Sequence, residues 1–279
     1  MTVMRTEPQP FGTYAPNPLL QRILRATRAT SHTWAGKRRA IFLRAAAMKQ
    51  LGSRPVDIEA MGARLRVCPQ HNVCEKRILF TPHYFDEPER AFLTQRLTPG
   101  CTFIDIGANI GGYALHVAAA IGAGARILAV EPLDCLFERL VVNIKLNAFA
   151  TIKALDCAIA DRDGEVTLFV DDRNEGDSSI RRFNRGHAGD MRQVPALSLM
   201  TLITRERVTH IDALKLDVEG AEDIILEPFF AQAAPAMHPR LLLIPDLGSI
   251  WPTDLIGLIE KQNYRVILRT RSNIAFEKF

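Results

Sequence analysis

The sequence lacks the features that mark a membrane protein or a disulfide-stabilised secreted protein. No apolar run approaches the roughly 18–20 residues of a membrane-spanning helix, and the first residues lack the charged, apolar and cleavable regions of a signal peptide. The five cysteines are scattered and include no CxxC pair, so neither a disulfide framework nor a structural zinc site is expected. We therefore expect a soluble, cytoplasmic protein with reduced thiols.

Acidic residues are nearly absent from the first 50 positions, where nine lysines and arginines stand against the single acid Glu7. This segment has a formal charge of +8; because the whole chain carries +4, the remainder carries −4. Residues 1–52 are predicted to form a basic, partly helical arm that either covers the main domain or makes a peripheral contact with an anionic surface. Aromatic side chains do not alternate with the basic ones at a stacking spacing, so no nucleic-acid partner is expected.

Beyond residue 99, segments typical of strands alternate with segments typical of helices. The predicted strands cover residues 102–106, 126–130, 152–159, 165–170, 208–216 and 241–244. The predicted helices cover residues 112–121, 133–146, a stretch from about 220, and 253–261. Two last strands, 264–269 and 273–277, lie too close together for a helical crossover and must form an antiparallel hairpin. The pattern predicts an α/β fold with a doubly wound, mainly parallel sheet and a C-terminal antiparallel hairpin.

A short lead-in precedes this core. Residues 56–60 and 63–67 alternate apolar and polar side chains around Met61-Gly62, which predicts a hairpin, and residues 86–97 predict a helix that ends before Pro99-Gly100. The expected organisation is a basic arm at 1–52 and a catalytic domain at 53–279, divided into a lead-in at 53–98 and a Rossmann-like core at 99–279.

Residues 103–113 (FIDIGANIGGY) hold the most informative local pattern. A strand ends in the acid Asp105, and a glycine-rich turn then opens a helix. Gly107 and Gly111 allow a close backbone approach to a ligand, and Asn109 suits the turn. In open α/β sheets, ligands bind at the carboxyl ends of the strands where the strand order reverses.

A dinucleotide-binding fingerprint is the alternative interpretation of this turn. Gly107 and Gly112 stand at the first and third positions of GxGxxG, but Asn109 replaces the glycine that admits a pyrophosphate. S-adenosylmethionine has no phosphate, and the anionic Asp105 suits its amino group better than it suits a pyrophosphate. The turn therefore favours S-adenosylmethionine over NAD.

Further acids follow the later strands at the same predicted edge. Glu131 ends the second strand of the core, where a carboxylate can accept both ribose hydroxyls. Asp217 and Glu219 follow the strand at 208–216 and would share a face if that strand continues through them. Helix N-capping is the alternative role for these two acids.

Six segments together resemble the FkbM family of methyltransferases. They are DIGANIGG from Asp105, EP from Glu131, NIKLN at 143–147, KLDVEGAE at 215–222, RILFTPHY at 77–84 and GDSSI at 176–180. The resemblance covers about residues 56–279, and KLDVEGAE is its most distinctive part. One departure is Ile244-Pro245-Asp246 after the fifth strand, where family members commonly have Glu, as in an Ile-Glu pair; the basic arm is also outside the family pattern.

The resemblance implies a class I methyltransferase fold and transfer of a methyl group from S-adenosylmethionine to a hydroxyl of a sugar, glycan or polyketide-like molecule. It implies that the methionine part contacts Asp105, Gly107, Asn109 and Gly111, and that Glu131 binds the ribose. Asp156 or Cys157 is expected near the adenine. Two other hypotheses are an NAD-dependent oxidoreductase and a non-catalytic binding module on the same fold.

An alcohol is a poor nucleophile, so a base should take its proton as attack proceeds. Asp217 is the first candidate and Glu219 the second, with His83 and His187 as weaker ones. Asp217, Glu219 and Asp246 could instead hold Mg²⁺, but no metal site is expected. The polar loop at 172–190 is a candidate lid over the acceptor.

Overall fold

The computed structural model describes residues 7–31, 33–70, 72–171, 174–180 and 190–279. Its α-helices are α1 Pro18–Arg28, α2 Trp34–Leu51, α3 Val73–Phe80, α4 Glu87–Arg96, α5 Gly112–Ile121, α6 Asp134–Lys145, α7 Leu199–Arg205, α8 Glu222–Gln232 and α9 Leu255–Glu260. Its strands are β1 Val56–Ala60, β2 Ala63–Val67, β3 Thr102–Ile106, β4 Arg126–Val130, β5 Ile152–Leu155, β6 Ala158–Ala160, β7 Gly164–Asp171, β8 Asn174–Ser179, β9 Asp190–Ser198, β10 Ala213–Leu216, β11 Leu241–Pro245, β12 Tyr264–Arg269 and β13 Asn273–Lys278.

Seven strands form the central sheet in the order β12-β13-β11-β10-β3-β4-β5. The pairs from β11 to β5 are parallel, whereas β13 runs antiparallel to both β11 and β12. This is the predicted doubly wound sheet with its C-terminal hairpin, the class I methyltransferase arrangement. The strand order reverses at β3, so the carboxyl ends of β3 and β10 flank the crevice where such sheets bind ligands.

Both faces of the sheet are covered, and β3 shows how the sequence produces this. All five of its residues are buried. Phe103 packs into the apolar cluster of α5, α6 and the lead-in elements, and the next residue, Ile104, packs into the cluster of α7, α8 and α9. Alternate side chains of a strand point to opposite faces, so a continuous apolar run is needed where helices cover both.

Two predicted strands differ from the observed ones. The segment predicted as one strand at 152–159 is divided: β5 ends the central sheet, and after Asp156 and Cys157 the chain enters β6 of a separate four-stranded sheet, in the order β6-β9-β7-β8. The strand predicted at 208–216 begins only at Ala213. Val208 and Ile211 are apolar because they are buried in the core from a loop, not because they pair in the sheet.

The lead-in hairpin β1–β2 has the predicted register and turn, and the N-terminal segment is fastened to it. The amides of Gly12 and Tyr14 donate to Asp57 Oδ2 at 2.8 and 3.1 Å. Helix α1 buries Leu20 and Leu24, and Arg28 donates from Nη2 to the carbonyl oxygen of Leu79 at 3.1 Å. Among the described helices, none is long and apolar enough to cross a membrane.

Two asparagines at the C-terminal end of α6 and just after it hold the lead-in hairpin, and Asn143 also joins it to the glycine-rich turn. Asn143 is fully buried; its Oδ1 accepts from the amide of Arg66 at 2.7 Å, and its Nδ2 donates to the carbonyl oxygen of Ile110 at 3.0 Å. Asn147 accepts from the amide of Arg64 and donates to the carbonyl oxygen of the same residue. The NIKLN segment therefore supports the site from behind through hydrogen bonds to backbone.

Replacing Asn143 with alanine should lower the free energy of unfolding by about 2–3 kcal/mol, because it leaves an amide and a carbonyl without their partner in a dry interior. Urea denaturation measures the change. Lys145→Ala, an exposed position on the same helix, should stay within about 0.5 kcal/mol of the parent chain. Equal effects of the two substitutions would contradict the structural role of Asn143.

Candidate functional site

The carboxyl ends of β3 and β10 lie side by side and carry Gly107 and Asp217. Leu216 is in register with Ile106, and the amide of Asp217 donates to the carbonyl oxygen of Ile106 at 3.0 Å. Both residues therefore lie at the point where the strand order reverses.

The turn after β3 needs the residue types that the sequence provides. Gly107 has φ of +75°, and a Cβ on it would lie 2.0 Å from the carbonyl oxygen of Asp217. Asn109 is left-handed, with φ of 53°, and its Oδ1 accepts from the amide of Ile110 at 2.9 Å. Only a residue without a side chain permits this approach of the two strand ends.

Two cavities adjoin at this edge and share Gly107, Asn109 and Asp217. Cavity A has about 570 Å³ of empty space, part of it open to solvent, and is also lined by Glu131, Leu136, Cys157, Ile159, Leu168 and Ser179. Cavity B has about 1150 Å³ and is also lined by Arg77, Asp86, Tyr113, Lys215, Glu219 and Arg271. Both spaces open to solvent, and their linings combine apolar side chains with a few polar groups, as the linings of small-molecule sites do.

Cavity A combines an apolar slot with one buried acid, Glu131. Its Oε2 accepts from the amide of Asn109 at 2.8 Å and its Oε1 from the amide of Leu133 at 3.1 Å. Burial raises the pKa of Glu131 to about 7, although these two amides oppose the shift. Each carboxylate oxygen has a second lone pair, so the side chain can still accept from a ligand's hydroxyls.

A buried lysine joins the acids that follow β3 and β10. Lys215 Nζ lies 3.3 Å from Asp105 Oδ1 and 3.2 Å from Asp217 Oδ2. Burial would lower the pKa of Lys215, but Asp217 and Asp105 more than offset it, and the pKa is raised. The ammonium therefore stays charged and holds the Asp217 carboxylate at the junction of the two cavities.

Asp105 is the buried member of this network and contacts Lys215 and the start of α5. It is fully buried, and its Oδ2 accepts from the amide of Ala114 at 3.1 Å in the first turn of α5. Burial raises its pKa, against the opposing effect of Lys215. Oδ1 has no partner in hydrogen-bond geometry, although Lys215 lies within ion-pair distance.

Cavity B has a wall that the sequence analysis did not identify. Asp86 has φ of 43°, and its Oδ1 accepts from Arg77 Nη2 at 2.9 Å. Its Oδ2 accepts from the Tyr113 hydroxyl at 3.2 Å, and burial raises the pKa of both groups. The RILFTPHY segment supplies Arg77, but only the fold brings it to Tyr113.

Hydrogen bonds within the KLDVEGAE segment fix the positions of its acids. The strand ends at Leu216, so the condition under which strand alternation would put Asp217 and Glu219 on one face is not met. Glu219 has φ of 54°. Glu222 is fully buried; its Oε1 accepts from the amides of Val218 and Gly220, and its Oε2 accepts from Trp251 Nε1 at 2.7 Å. Glu222 thus fixes the turn that presents Asp217 and Glu219.

Helix α3 secures the glycine-rich turn from the other direction. Asn72 is fully buried; its Oδ1 accepts from the amide of Glu75, and its Nδ2 donates to Asn109 Oδ1 at 2.9 Å. Glu75, also buried, accepts from Arg139 Nη1 at 2.7 Å and from the amide of Cys68. An asparagine and an acid three residues apart is an N-capping pattern, which could have revealed α3 in the sequence.

The structure brings together most of the predicted site residues. Those that line cavity A are Gly107, Asn109, Glu131, Cys157 and Asp217, and those that line cavity B are Gly107, Asn109, Asp217 and Glu219. Asp105, Gly111 and Asp156 line neither: the first is enclosed, Gly111 packs against Leu140 at the start of α5, and Asp156 is exposed. Their direct contacts with a ligand stay predictions.

The remaining described candidates, Asp246 and His83, make other contacts, and Asp246 also lines cavity B. Asp246 is paired with Arg269 at 2.7 and 3.0 Å. Within the described part of the chain no group of three or more His, Cys, Asp or Glu residues is arranged to hold a metal ion. His83 Nε2 contacts the carbonyl oxygen of Thr30 at 3.2 Å. His187 and most of the candidate lid (172, 173 and 181–189) lie outside the described residues.

Comparison with protein families gives one match. The model of the methyltransferase FkbM domain matches residues 105–265, more than half of the chain. No curated protein matches the sequence.

Solved structures similar to the chain include several methyltransferases. Fibrillarin from Aeropyrum pernix, solved with natively bound S-adenosyl-L-methionine, has 12% identity and a TM-score of 0.41, over 68% of this chain and 74% of that one. The METTL16 MTase domain has 13% identity and a TM-score of 0.48, over 94% and 90%. Precorrin-6y C5,15-methyltransferase from Geobacter metallireducens has 12% identity and a TM-score of 0.42, over 68% and 87%.

The close approach at Gly107 gives a testable prediction. Gly107→Ala should lower the free energy of unfolding by at least about 2 kcal/mol more than Gly122→Ala, because its Cβ meets the Asp217 carbonyl. Gly122 has nearly the same φ, +77°, but open space around a Cβ, so it isolates the backbone strain from the clash. Denaturation of both variants, with ligand titration of each, makes the comparison. Equal costs and equal ligand affinities would contradict the requirement for glycine at position 107.

Proposed function

Because this chain belongs to the FkbM methyltransferase family and is an S-adenosylmethionine-dependent methyltransferase, we propose that it methylates a hydroxyl oxygen of a sugar, glycan or polyketide-like small molecule. The observation that carries the proposal is the position of Asp217. It lines both cavities and is held there by Lys215. A carboxylate at the junction between a cofactor space and an acceptor space is placed to receive a proton from an attacking hydroxyl.

The residues of cavity A fit the cofactor. Leu136, Ile159 and Leu168 offer an apolar slot for adenine, with Cys157 in the wall. Glu131 offers a carboxylate for the ribose hydroxyls, and Gly107, which lines the cavity, offers backbone to the methionine part. Asp105 would act on the methionine part indirectly, through α5 and Lys215.

When bound, S-adenosylmethionine supplies a methyl group activated by its sulfonium. The protein must then hold the acceptor oxygen in line with that group and take its proton. Asp217 is assigned as the base, with Glu219 the alternative at the mouth of cavity B. Lys215 orients Asp217, and Glu222 fixes the turn that carries it.

Cavity B is the proposed acceptor site. Its wall mixes charged groups, Asp86 and Arg271 among them, with the aromatic rings of Phe85 and Tyr113. Sugars present hydroxyls to polar groups and flat C–H faces to aromatic rings, so such a wall suits a polyhydroxy acceptor. Pro245 and Asp246 also line the cavity, so the departure from the family pattern lies on the acceptor side.

Two alternatives have distinct signatures. An NAD-dependent oxidoreductase would bind NAD, and a non-catalytic module would bind S-adenosylmethionine without transferring its methyl group.

We also propose that the chain is divided into a basic arm at residues 1–52 and a methyltransferase domain at residues 53–279.

Cofactor affinity should depend on the protonation of Glu131. Its pKa is raised to about 7, so below that pH the carboxyl carries a proton that must leave before it accepts two hydroxyls. Calorimetry should show S-adenosylmethionine and S-adenosylhomocysteine binding tightly above pH 7 and weakening by up to about tenfold per pH unit below it, with no binding of NAD.

Glu131→Gln is the matched control, because its side chain does not titrate. Any titration of the ligand itself affects the binding to both proteins equally and cancels in the comparison. The affinity of this variant for S-adenosylmethionine should be lower and nearly constant between about pH 5.5 and 7.5, a range that includes the raised pKa of Glu131. A parallel pH dependence in both proteins would sink the ribose role of Glu131, and binding of NAD alone would sink the cofactor assignment.

Asp217→Asn should lower kcat by about 10²–10⁴-fold with little change in cofactor affinity, since the amide keeps the shape but accepts no proton. The assay is release of S-adenosylhomocysteine with methyl glycosides of hexoses, a disaccharide and a macrolide polyol as acceptors. Glu165→Gln, an exposed carboxylate on β7, should retain full activity. If Asp217→Asn stays active while Glu219→Gln does not, the base is Glu219; cofactor binding without transfer to any acceptor supports the non-catalytic alternative.

A further inference from the structure

Helix α2 combines a strong positive charge with exposed bulky apolar side chains. It contains five lysines and arginines and no acid. Trp34 is 74% exposed, Phe42 75% and Ile41 53%, the largest such group on one described element. Exposed single apolar residues are ordinary, but an apolar group with two aromatic members on one helix indicates a contact surface.

These side chains lie on the outward side of the helix. Ala40 and Ala47, seven residues apart, are the buried positions of α2 and face α1. At 100° per residue, Arg38 and Phe42 lie about 140–180° from the two alanines, and Trp34 and Ile41 lie about 100–140° from them. The outward face therefore carries apolar and basic side chains side by side.

Helix α2 is held less firmly than its neighbour. Helix α1 is fixed to the body by Leu20, Leu24 and the hydrogen bonds of Arg28. The fully buried side chains of α2 are the small Ala40 and Ala47, and Met48 and Leu51 pack partly against the core near its end. Trp34, Ile41 and Phe42 stay exposed and add little to the packing of the core. Such groups must be explained by something other than the stability of the fold.

The charge of the surroundings limits what can cover this face. Residues 1–50 carry +8, whereas the rest of the chain carries −4. The arm therefore repels a second copy of itself, which makes self-association through this face unfavourable. A bilayer with anionic lipids satisfies both features, since headgroups attract the basic side chains and the interface accepts tryptophan and phenylalanine.

We propose that α2 docks the protein on the surface of a bilayer containing anionic lipids. Trp34, Ile41 and Phe42 insert at the level of the headgroups, while Arg38, Arg39 and Lys49 pair with lipid phosphates. The helix lies on the surface and does not span it. This inference is independent of the methyl acceptor and of the base.

The attachment of α2 places this contact near the proposed acceptor site. The Tyr84 hydroxyl donates to the carbonyl oxygen of Thr30 at 3.0 Å, just before α2, and Lys37 Nζ lies 5.9 Å from the centre of the Tyr84 ring. The next two residues, Phe85 and Asp86, line cavity B. Docking through α2 would therefore bring the loop that borders cavity B close to the membrane.

The test uses the full chain with vesicles of phosphatidylcholine, with and without phosphatidylglycerol. We expect sedimentation with the anionic vesicles only and release at high salt. The two tryptophans make the readout local, because Trp251 is 6% exposed and Trp34 is 74% exposed. A blue shift of emission on docking therefore reports Trp34, and Trp34→Phe should abolish it.

Two sets of variants separate charge from insertion. Replacing Arg38, Arg39 and Lys49 together with glutamine should weaken vesicle binding on the order of 100-fold. The matched control replaces Arg162, Arg192 and Arg205, whose side chains are 85%, 48% and 61% exposed; it removes the same charge and should change binding by less than about threefold. Trp34→Ala with Phe42→Ala should weaken binding at least about tenfold at low salt.

Thermal denaturation of each variant tests whether the fold is kept. Because all these positions are exposed, we expect little change in melting temperature. The proposal fails if anionic vesicles do not bind, if the control triple weakens binding as much as the arm triple, or if Trp34 emission does not move. It also fails if an oligonucleotide or an α2-dependent dimer accounts for the contact, tested by competition and by sedimentation velocity.

Discussion

The close approach of β3 and β10 at their carboxyl ends is the constraint on which the site depends. Gly107 permits it, because any Cβ there would meet the carbonyl of Asp217. Lys215 then has to neutralise the acids that the approach brings together, and it does so with Asp105 on one side and Asp217 on the other. One carboxylate is thereby enclosed and the other is held at the junction of two cavities.

Many of the residues that identify the family support the site and do not face it. Asn143 and Asn147 hold the lead-in hairpin, and Glu222 holds the turn of Asp217. Asn72, which lies outside those segments, holds Asn109 in the same way. Buried polar groups of this kind are costly unless every hydrogen bond is made, and when all are made they fix one arrangement of the loops. Their role explains why the distinctive segments extend well beyond the cavities.

The charge of the molecule is divided between a basic N-terminal segment, residues 1–50, and an acidic remainder. The basic arm carries charge that the acidic body lacks, and α1 joins the two by burying its apolar face while α2 leaves large apolar groups outside. The arm reaches the rest of the chain through Thr30, Tyr84 and Arg28, next to the wall of cavity B. The proposed acceptor site and the proposed membrane surface are thus connected through Tyr84 and the two residues that follow it.

The sequence by itself determined the architecture of the core. Apolar runs of strand length and periodic helices placed β3, β4, β12 and α5 within a residue or two, because residues in a covered strand or on a helix face must be apolar at fixed intervals. The same local patterns gave the glycine-rich turn, the acid at 131 and the acids at 217 and 219. Where apolar residues are buried without pairing, as at Val208 and Ile211, the pattern misled.

Only the tertiary structure decided which of those residues meet. The ion pair of Lys215 with Asp105 joins residues more than a hundred positions apart, and the wall of Asp86, Arg77 and Tyr113 forms from three separate elements. The tertiary structure also buries Asp105 and leaves Asp156 exposed. After Leu155 the chain leaves the central sheet and enters the four-stranded sheet at β6. Periodicity reports how a residue is buried within its own element, whereas contacts between elements depend on packing distances that no local pattern contains.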